Sequence, residues 1–413
     1  MTVPTLDNTE PAPTTSRIVP ATEPSRQSEA FVLKKVGKFR FEDRDESRPC
    51  ATTEVVVRVV ATGICGSDVS QLLESILPSL PRAVSNRLTP LRQVHWWQHG
   101  QIGDIFVTAP IILGHESSGI VEVCGPDVKY LKPGDRIALE PGAGCNTCVD
   151  CRAGKYNLCA DMKFAATPPY DGTLATFYRL PEECCFPIPA HVSFEEAALV
   201  EPLAVAVHCC KVGQVGPGNS VAVFGAGPIG LLTGAVAKVF GAARIVLVDI
   251  IQERLDFAQS FLDVETYNLT DGFERWALLG RIQTNNGVDV VVEATGNEEC
   301  VSHGVDVLKR GGKFVQAGLG SSKISFPMGQ ICSKEAAFLG SFRYGPGDYQ
   351  LAVDLLGGGK VSVRELISGR YEFKDAEQAF KDVAARKGIK SIIYGPSIAV
   401  ATQNGLLYGD DVE

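Results

Sequence analysis

A short apolar run, Ser220–Phe224, opens directly into Gly225-Ala226-Gly227-Pro228-Ile229-Gly230, and the chain then reads as a helix through Phe240. Strand, glycine turn and helix in that order leave few ways to fold. Gly225 permits the tight turn, Gly227 lets a pyrophosphate approach the backbone, and Gly230 lets the helix pack closely on the strand. The helix N-terminus adds amides and the positive end of a dipole. A glycine turn alone is common, but Asp249 closes the next β-prone run, Arg244–Asp249, nineteen residues after Gly230. An acid there accepts hydrogen bonds from both ribose hydroxyls and repels a 2′-phosphate. The expectation is therefore NAD rather than NADP, with Gly225, Gly227, Pro228, Ile229, Gly230, Asp249 and Arg254 as its binding residues.

The surrounding pattern extends this unit. Ser193–Val212 reads as helix, and Val288–Glu293, Lys313–Ala317 and Ala337–Ser341 read as further strands. Strands alternating with helices imply a doubly wound parallel sheet, here six-stranded and spanning residues 191–348. Residues 29–190 differ: Thr53–Ala61, Gly119–Val123, Arg136–Leu139 and Leu174–Arg179 are β-prone runs broken by Gly, Pro and Asp, which suits an irregular β-barrel. Residues 349–396 are expected to return to that first domain. Residues 1–28 carry Pro, Thr, Ser and Glu without an apolar signal core and read as a disordered tail, and residues 397–413 as a loose one. Two domains suit 413 residues. The formal net charge of −9 disfavours nucleic acid and anionic membrane as partners, and no apolar run approaches the ~20 residues of a membrane span. A cytoplasmic location is expected.

Thirteen cysteines are an odd number for a disulfide framework, and no secretion signal precedes them. Metal binding is the better reading. Cys145, Cys148, Cys151 and Cys159 stand close together in a polar stretch with Gly142, Gly144 and Gly154, so a lobe over residues 141–160 is expected to close around a structural zinc. The adjacent pairs Cys184-Cys185 and Cys209-Cys210 lie in apolar surroundings and read as buried, inert thiols. A second constellation is dispersed: Cys65 in Gly63–Asp68, His115-Glu116 in Gly114–Gly119, and Glu201 within an apolar helix. A carboxylate buried there needs a partner. A zinc with three protein ligands and an open position supplies one and acts as a Lewis acid. With NAD nearby the chemistry is alcohol oxidation, and the Ser67 hydroxyl is placed either to pass the proton towards solvent or simply to cap a turn.

These motifs, with Met162–Gly172, Glu201–His208 and Ser341–Tyr344 in the same order, resemble the zinc-containing medium-chain dehydrogenase/reductase family, in its sorbitol/xylitol branch. Phe31–Gly37, Phe41–Arg44 and Gly345–Leu356 are similar to fungal xylitol dehydrogenases. The resemblance implies a GroES-like catalytic domain beside a Rossmann domain and two zinc ions per chain. One is catalytic, held by Cys65, His115 and Glu116 with Glu201 at it or beside it through water. It also implies substrate contacts from Phe164, Arg343 and Tyr344, a polyol substrate and a homotetramer.

One stretch breaks the family order. Ser70–Gln93 separates Val69 from the His95-Trp96-Trp97 segment, holds Pro78, Pro81 and Pro90, and shows no clean periodicity. It reads either as a translated intron, since excision would rejoin Asp-Val-His-Trp-Trp, or as a surface excursion. Trp96, on the substrate wall by resemblance, replaces the Tyr common in relatives. Two functions follow: oxidation of xylitol to D-xylulose, with sorbitol or L-arabinitol as competitors, or an NAD-binding zinc protein disabled by the interruption.

Overall fold

The structure is a computed structural model that describes residues 27–35, 37–45, 50–66, 101–102, 105–321, 323–396 and 398. Ser67, Trp96, the interruption 70–93 and most of both tails lie outside the described residues.

The first sheet is built on Glu54–Gly63, whose Val-rich sequence is buried on both faces as a central strand requires. Its strands run in the order Cys185–Pro187, Arg136–Leu139, Glu116–Cys124, Glu54–Gly63, Lys390–Tyr394, Ile367–Tyr371, and Phe177–Pro181 also pairs with Glu54–Gly63. The C-terminal segment therefore supplies two strands to the sheet that the N-terminal half begins. Gln27–Lys35 pairs with Lys38–Asp45, so the last two residues of the tail expected over 1–28 belong to a strand. Ser28 is buried there and its hydroxyl accepts from the Phe177 amide.

The second sheet is parallel and six-stranded, in the order Glu265–Asn268, Arg244–Asp249, Ser220–Phe224, Val288–Glu293, Leu308–Gln316, Ala337–Gly340. The fold is thus α/β, with a β-rich domain and a doubly wound Rossmann sheet. Glu265–Asn268, with the sequence ETYN, lacks an apolar run and is the strand that periodicity does not announce.

Two elements differ from expectation for local reasons. Ser193–Val212 is two helices, Phe194–Ala198 and Val200–Val212, rather than one. Pro202 has no amide to give the Ala198 carbonyl, so the ladder breaks there, while Ser193 and Glu196 close a capping box on the first helix. The strand expected from Leu174 begins at Phe177 because the Thr173 and Leu174 amides are spent on the Gly114 and Leu113 carbonyls, just before His115.

Candidate active site

Strand register builds the first cluster. Gly63 pairs with Glu116 across the neighbouring strands Glu54–Gly63 and Glu116–Cys124, which sets Cys65, just past one strand end, beside His115, just before the other. A Cβ on Gly63 would stand 2.4 Å from Glu116 Oε2, so only glycine allows this approach. Cys65 Sγ, a His115 ring nitrogen and a Glu116 carboxylate oxygen all lie within 4.8 Å of one another, with His115 and Glu116 buried. Thiolate, imidazole and carboxylate form a donor set that suits zinc with one position left open.

Glu201 stands outside that group of three, in the first turn of Val200–Val212. Burial pushes its carboxyl up to about 7, against the pull of His115 and with a push from Glu116. The charges of Lys390 and Arg343 also pull it down.

Two of the substrate residues named by resemblance, Phe164 and Arg343, gather beside His115. The Phe164 ring centroid lies 5.9 Å from that of His115, and the Arg343 guanidinium carbon sits 3.7 Å from the Phe164 centroid. Tyr344 is buried, and its Oη has no hydrogen-bond partner among the described residues. Burial holds that phenol well above its ordinary range, so it stays a donor.

The four-cysteine lobe is also assembled. The Sγ atoms of Cys145, Cys148, Cys151 and Cys159 lie within 4.8 Å of one another. Backbone amides aim at them: Cys148 N at Cys145 Sγ (3.3 Å), Cys151 N at Cys148 Sγ (3.4 Å) and Cys145 N at Cys159 Sγ (3.4 Å). Donors on sulfur favour thiolates; the Thr147 hydroxyl and two amides pull Cys145 down to about 6. A Cβ on Gly144 would meet Cys151 Sγ at 3.0 Å. None of the thirteen cysteines is in a disulfide, and Cys184, Cys185, Cys209 and Cys210 are buried with thiols pushed up by desolvation.

At the glycine turn, Gly225 has φ +104°, and a Cβ on Gly230 would stand 1.7 Å from the Gly225 carbonyl. Gly227 is the N-cap of the helix Pro228–Val239, with Pro228 at its first position and Ile229 following. The space over Gly227 is open, with Arg254 Nη1 its nearest neighbour at 4.0 Å, which fits a pyrophosphate. Asp249 Oδ2 accepts from Ala226 N at 2.7 Å, and Oδ1 accepts from the Ile250 and Ile251 amides. The carboxylate therefore braces the turn.

Residues 51–190 match the alcohol dehydrogenase GroES-like domain and residues 228–357 the zinc-binding dehydrogenase domain. The chain belongs to the zinc-containing medium-chain dehydrogenases. Among curated relatives, it is 50% identical over 376 residues to the probable D-xylulose reductase A of Aspergillus fumigatus, covering 89% of this chain and 97% of that one. It is 47% identical over 375 residues to D-xylulose reductase A of Aspergillus niger, with the same coverages. Among solved structures it is similar to L-idonate 5-dehydrogenase from Escherichia coli, with a TM-score of 0.77 at 26% identity over 90% of this chain and 99% of the other. Zinc and a nicotinamide dinucleotide are cofactors of this family.

Sequence reading missed Lys390. Its buried ammonium pairs with Glu116 Oε2 and donates to the Ile64 carbonyl at 3.0 Å. The available signal was a lysine opening the short strand Lys390–Tyr394, two residues before the apolar run Ile392–Tyr394. Glu140, hydrogen-bonded by Tyr156, was missed too. Among the described residues no helix is long and apolar enough to cross a membrane.

Proposed function

We propose that this dehydrogenase is zinc- and NAD-dependent and oxidises a secondary hydroxyl of a polyol to a ketone, with xylitol and D-xylulose as its preferred pair. The observation that carries the reading is the meeting of Cys65, His115 and Glu116 at one point, beside Arg343 and the unpartnered phenol of Tyr344. Bound at this cluster, zinc would supply a Lewis acid for the substrate hydroxyl, and NAD at the Gly225–Gly230 turn would supply the hydride acceptor. Cys65, His115 and Glu116 would hold the catalytic ion directly. Glu201, outside that group, acts from beside it: a carboxyl near 7 takes or gives a proton at neutral pH. Arg343 and Tyr344 donate to the substrate's other hydroxyls, and a polyol oxygen relieves the desolvation cost of the Tyr344 phenol. The Phe164 face keeps water from one side of the centre. Cys145, Cys148, Cys151 and Cys159 would hold a second, structural zinc. Asp249 supports NAD over NADP, since its charge faces the position a 2′-phosphate would take.

The names of the curated relatives support xylitol over sorbitol or L-arabinitol. The test is initial-rate kinetics of the purified protein on all three polyols with NAD and with NADP. The highest kcat/KM is expected for xylitol with NAD, and a higher value for another polyol would reassign the substrate. The interruption 70–93, beginning five residues past Cys65, gives the alternative of a disabled protein its one support. Metal analysis decides between them: near two zinc ions per chain supports the enzyme and near one supports the disabled form. The same reading expects a cytoplasmic homotetramer. Exposed apolar side chains at Leu319, Met328 and Phe338 are consistent with association, and sizing in solution tests it.

A further inference from the structure

Arg343 stands in the left-handed region, with φ +57°, which an arginine does not adopt without support. The support comes from the four-cysteine lobe. Buried Asn157, in the short turn Tyr156–Leu158 between Cys151 and Cys159, donates from Nδ2 to the Phe342 carbonyl at 3.0 Å, across 185 residues of sequence. That carbonyl belongs to the peptide group that enters Arg343, so the bond fixes the plane from which the arginine departs. A second support comes from the lobe's base, where Lys163–Phe164 pairs with Gly142–Ala143 and carries the Phe164 ring under the guanidinium, 3.7 Å away. Gly142 makes room for that ring, since a Cβ there would lie 2.9 Å from Phe164 Cδ2. The lobe thus grips Arg343 at its backbone and at its side chain.

We propose that Asn157 is a positioning residue for substrate binding, through which the structural lobe aims Arg343 into the active site. The proposal rests on the reading of Arg343 as a substrate contact. The lobe then has a role beyond local stability: it sets affinity for the polyol while leaving the nucleotide site alone. The hydrogen bond that the Asn157 side chain makes runs to the Phe342 carbonyl, so its effect is routed through Arg343.

The experiment compares Asn157→Ala, the similarly sized and uncharged Asn157→Leu, Arg343→Ala and the double variant Asn157→Ala/Arg343→Ala, each as zinc-loaded full-length protein. Both Asn157 variants are expected to raise the polyol KM about fivefold, the worth of one net hydrogen bond. kcat and the KM for NAD should stay within about twofold. In the Arg343→Ala background the Asn157→Ala change should add nothing further to the polyol KM. The Leu variant keeps side-chain volume while removing the donor and adds no charge, so it decides the matter if the Ala variant fails to fold. Unchanged polyol KM in the Asn157 variants, with Arg343→Ala raising it, overturns the proposal and leaves the substrate reading intact. An Asn157 effect that persists in the double variant also overturns it. An Arg343→Ala protein with unchanged polyol KM overturns the substrate reading itself.

Discussion

The Lys390 ammonium and the Glu116 carboxylate form an ion pair in which neither side chain is more than 3% exposed. Burial opposes the lysine's charge, but Glu116, Cys65 and Glu201 outweigh it and hold the group above its ordinary value. Lys390 also donates to the Ile64 carbonyl, so one ammonium braces the backbone before Cys65 and the side chain after His115. In the metal-free protein, replacing it with methionine leaves a buried carboxylate uncompensated. Stripped of metal, the Lys390→Met protein should lose about 3–5 kcal/mol of stability relative to the metal-free parent in denaturant unfolding. A loss under about 1 kcal/mol would mean that the Glu116 carboxyl is protonated in the fold and the ion pair does not hold it.

Glu140 predicts an unusual pH dependence of stability. Burial pushes its carboxyl from 4.5 up to about 7, although the Tyr156 hydroxyl donates to it and opposes the shift. Between these values the folded state holds a proton that the unfolded chain has released. The stability owed to this group is therefore full below about pH 4.5 and is lost as pH rises through about 7. Glu140→Gln keeps an acceptor for Tyr156 and carries no charge. It should be more stable than the parent by about 1–3 kcal/mol at pH 8, with the gain vanishing towards pH 5, as followed by urea unfolding across that range.

Cys148 does two jobs that one substitution separates. Its sulfur lies within the group of four, and it also caps the helix Val149–Arg152 by accepting from the Cys151 amide. Serine at this position still caps the helix but is a poor zinc ligand. Cys148→Ser should drop the zinc content from two to one per chain and lower Tm by on the order of 5 °C or more. Unchanged metal content would show that the four thiols do not hold an ion.

Legibility in the sequence followed the range of the interaction. The glycine turn and Asp249 were readable because strand, turn and helix are local, and Gly230 answers the Gly225 carbonyl five residues away. Cys65 and His115-Glu116 were readable although fifty residues separate them, because each sits in its own glycine-flanked segment; that Gly63 must pair with Glu116 is a matter of register and appears only in the folded sheet. Lys390 and Asn157 escaped for the same reason. Their partners lie 274 and 185 residues away, so that even a lysine opening a strand does not say what it pairs with. Glu265–Asn268 has no apolar pattern of its own and is a strand because it pairs with Arg244–Asp249 at the sheet's edge.

Asp249 sets the last test, since its carboxylate serves both turn and cofactor. It accepts from the Ala226, Ile250 and Ile251 amides, and its charge also acts on Arg386, whose own charge is disfavoured by burial and by Arg254. Removing the acid therefore leaves Arg254 and Arg386 as neighbouring guanidinium groups without their nearest counter-charge, at a place suited to an additional phosphate. Asp249→Ser should lower kcat/KM for NAD by about 10- to 100-fold, the range for a lost charged hydrogen bond, and raise the NADP-to-NAD ratio. Asp249→Asn keeps an acceptor for the Ile250 and Ile251 amides while losing the charge, so it should shift the same ratio with a smaller loss for NAD. Steady-state kinetics with both dinucleotides on the three proteins measures this. An unchanged ratio in both variants would mean that Asp249 braces the turn and does not read the ribose.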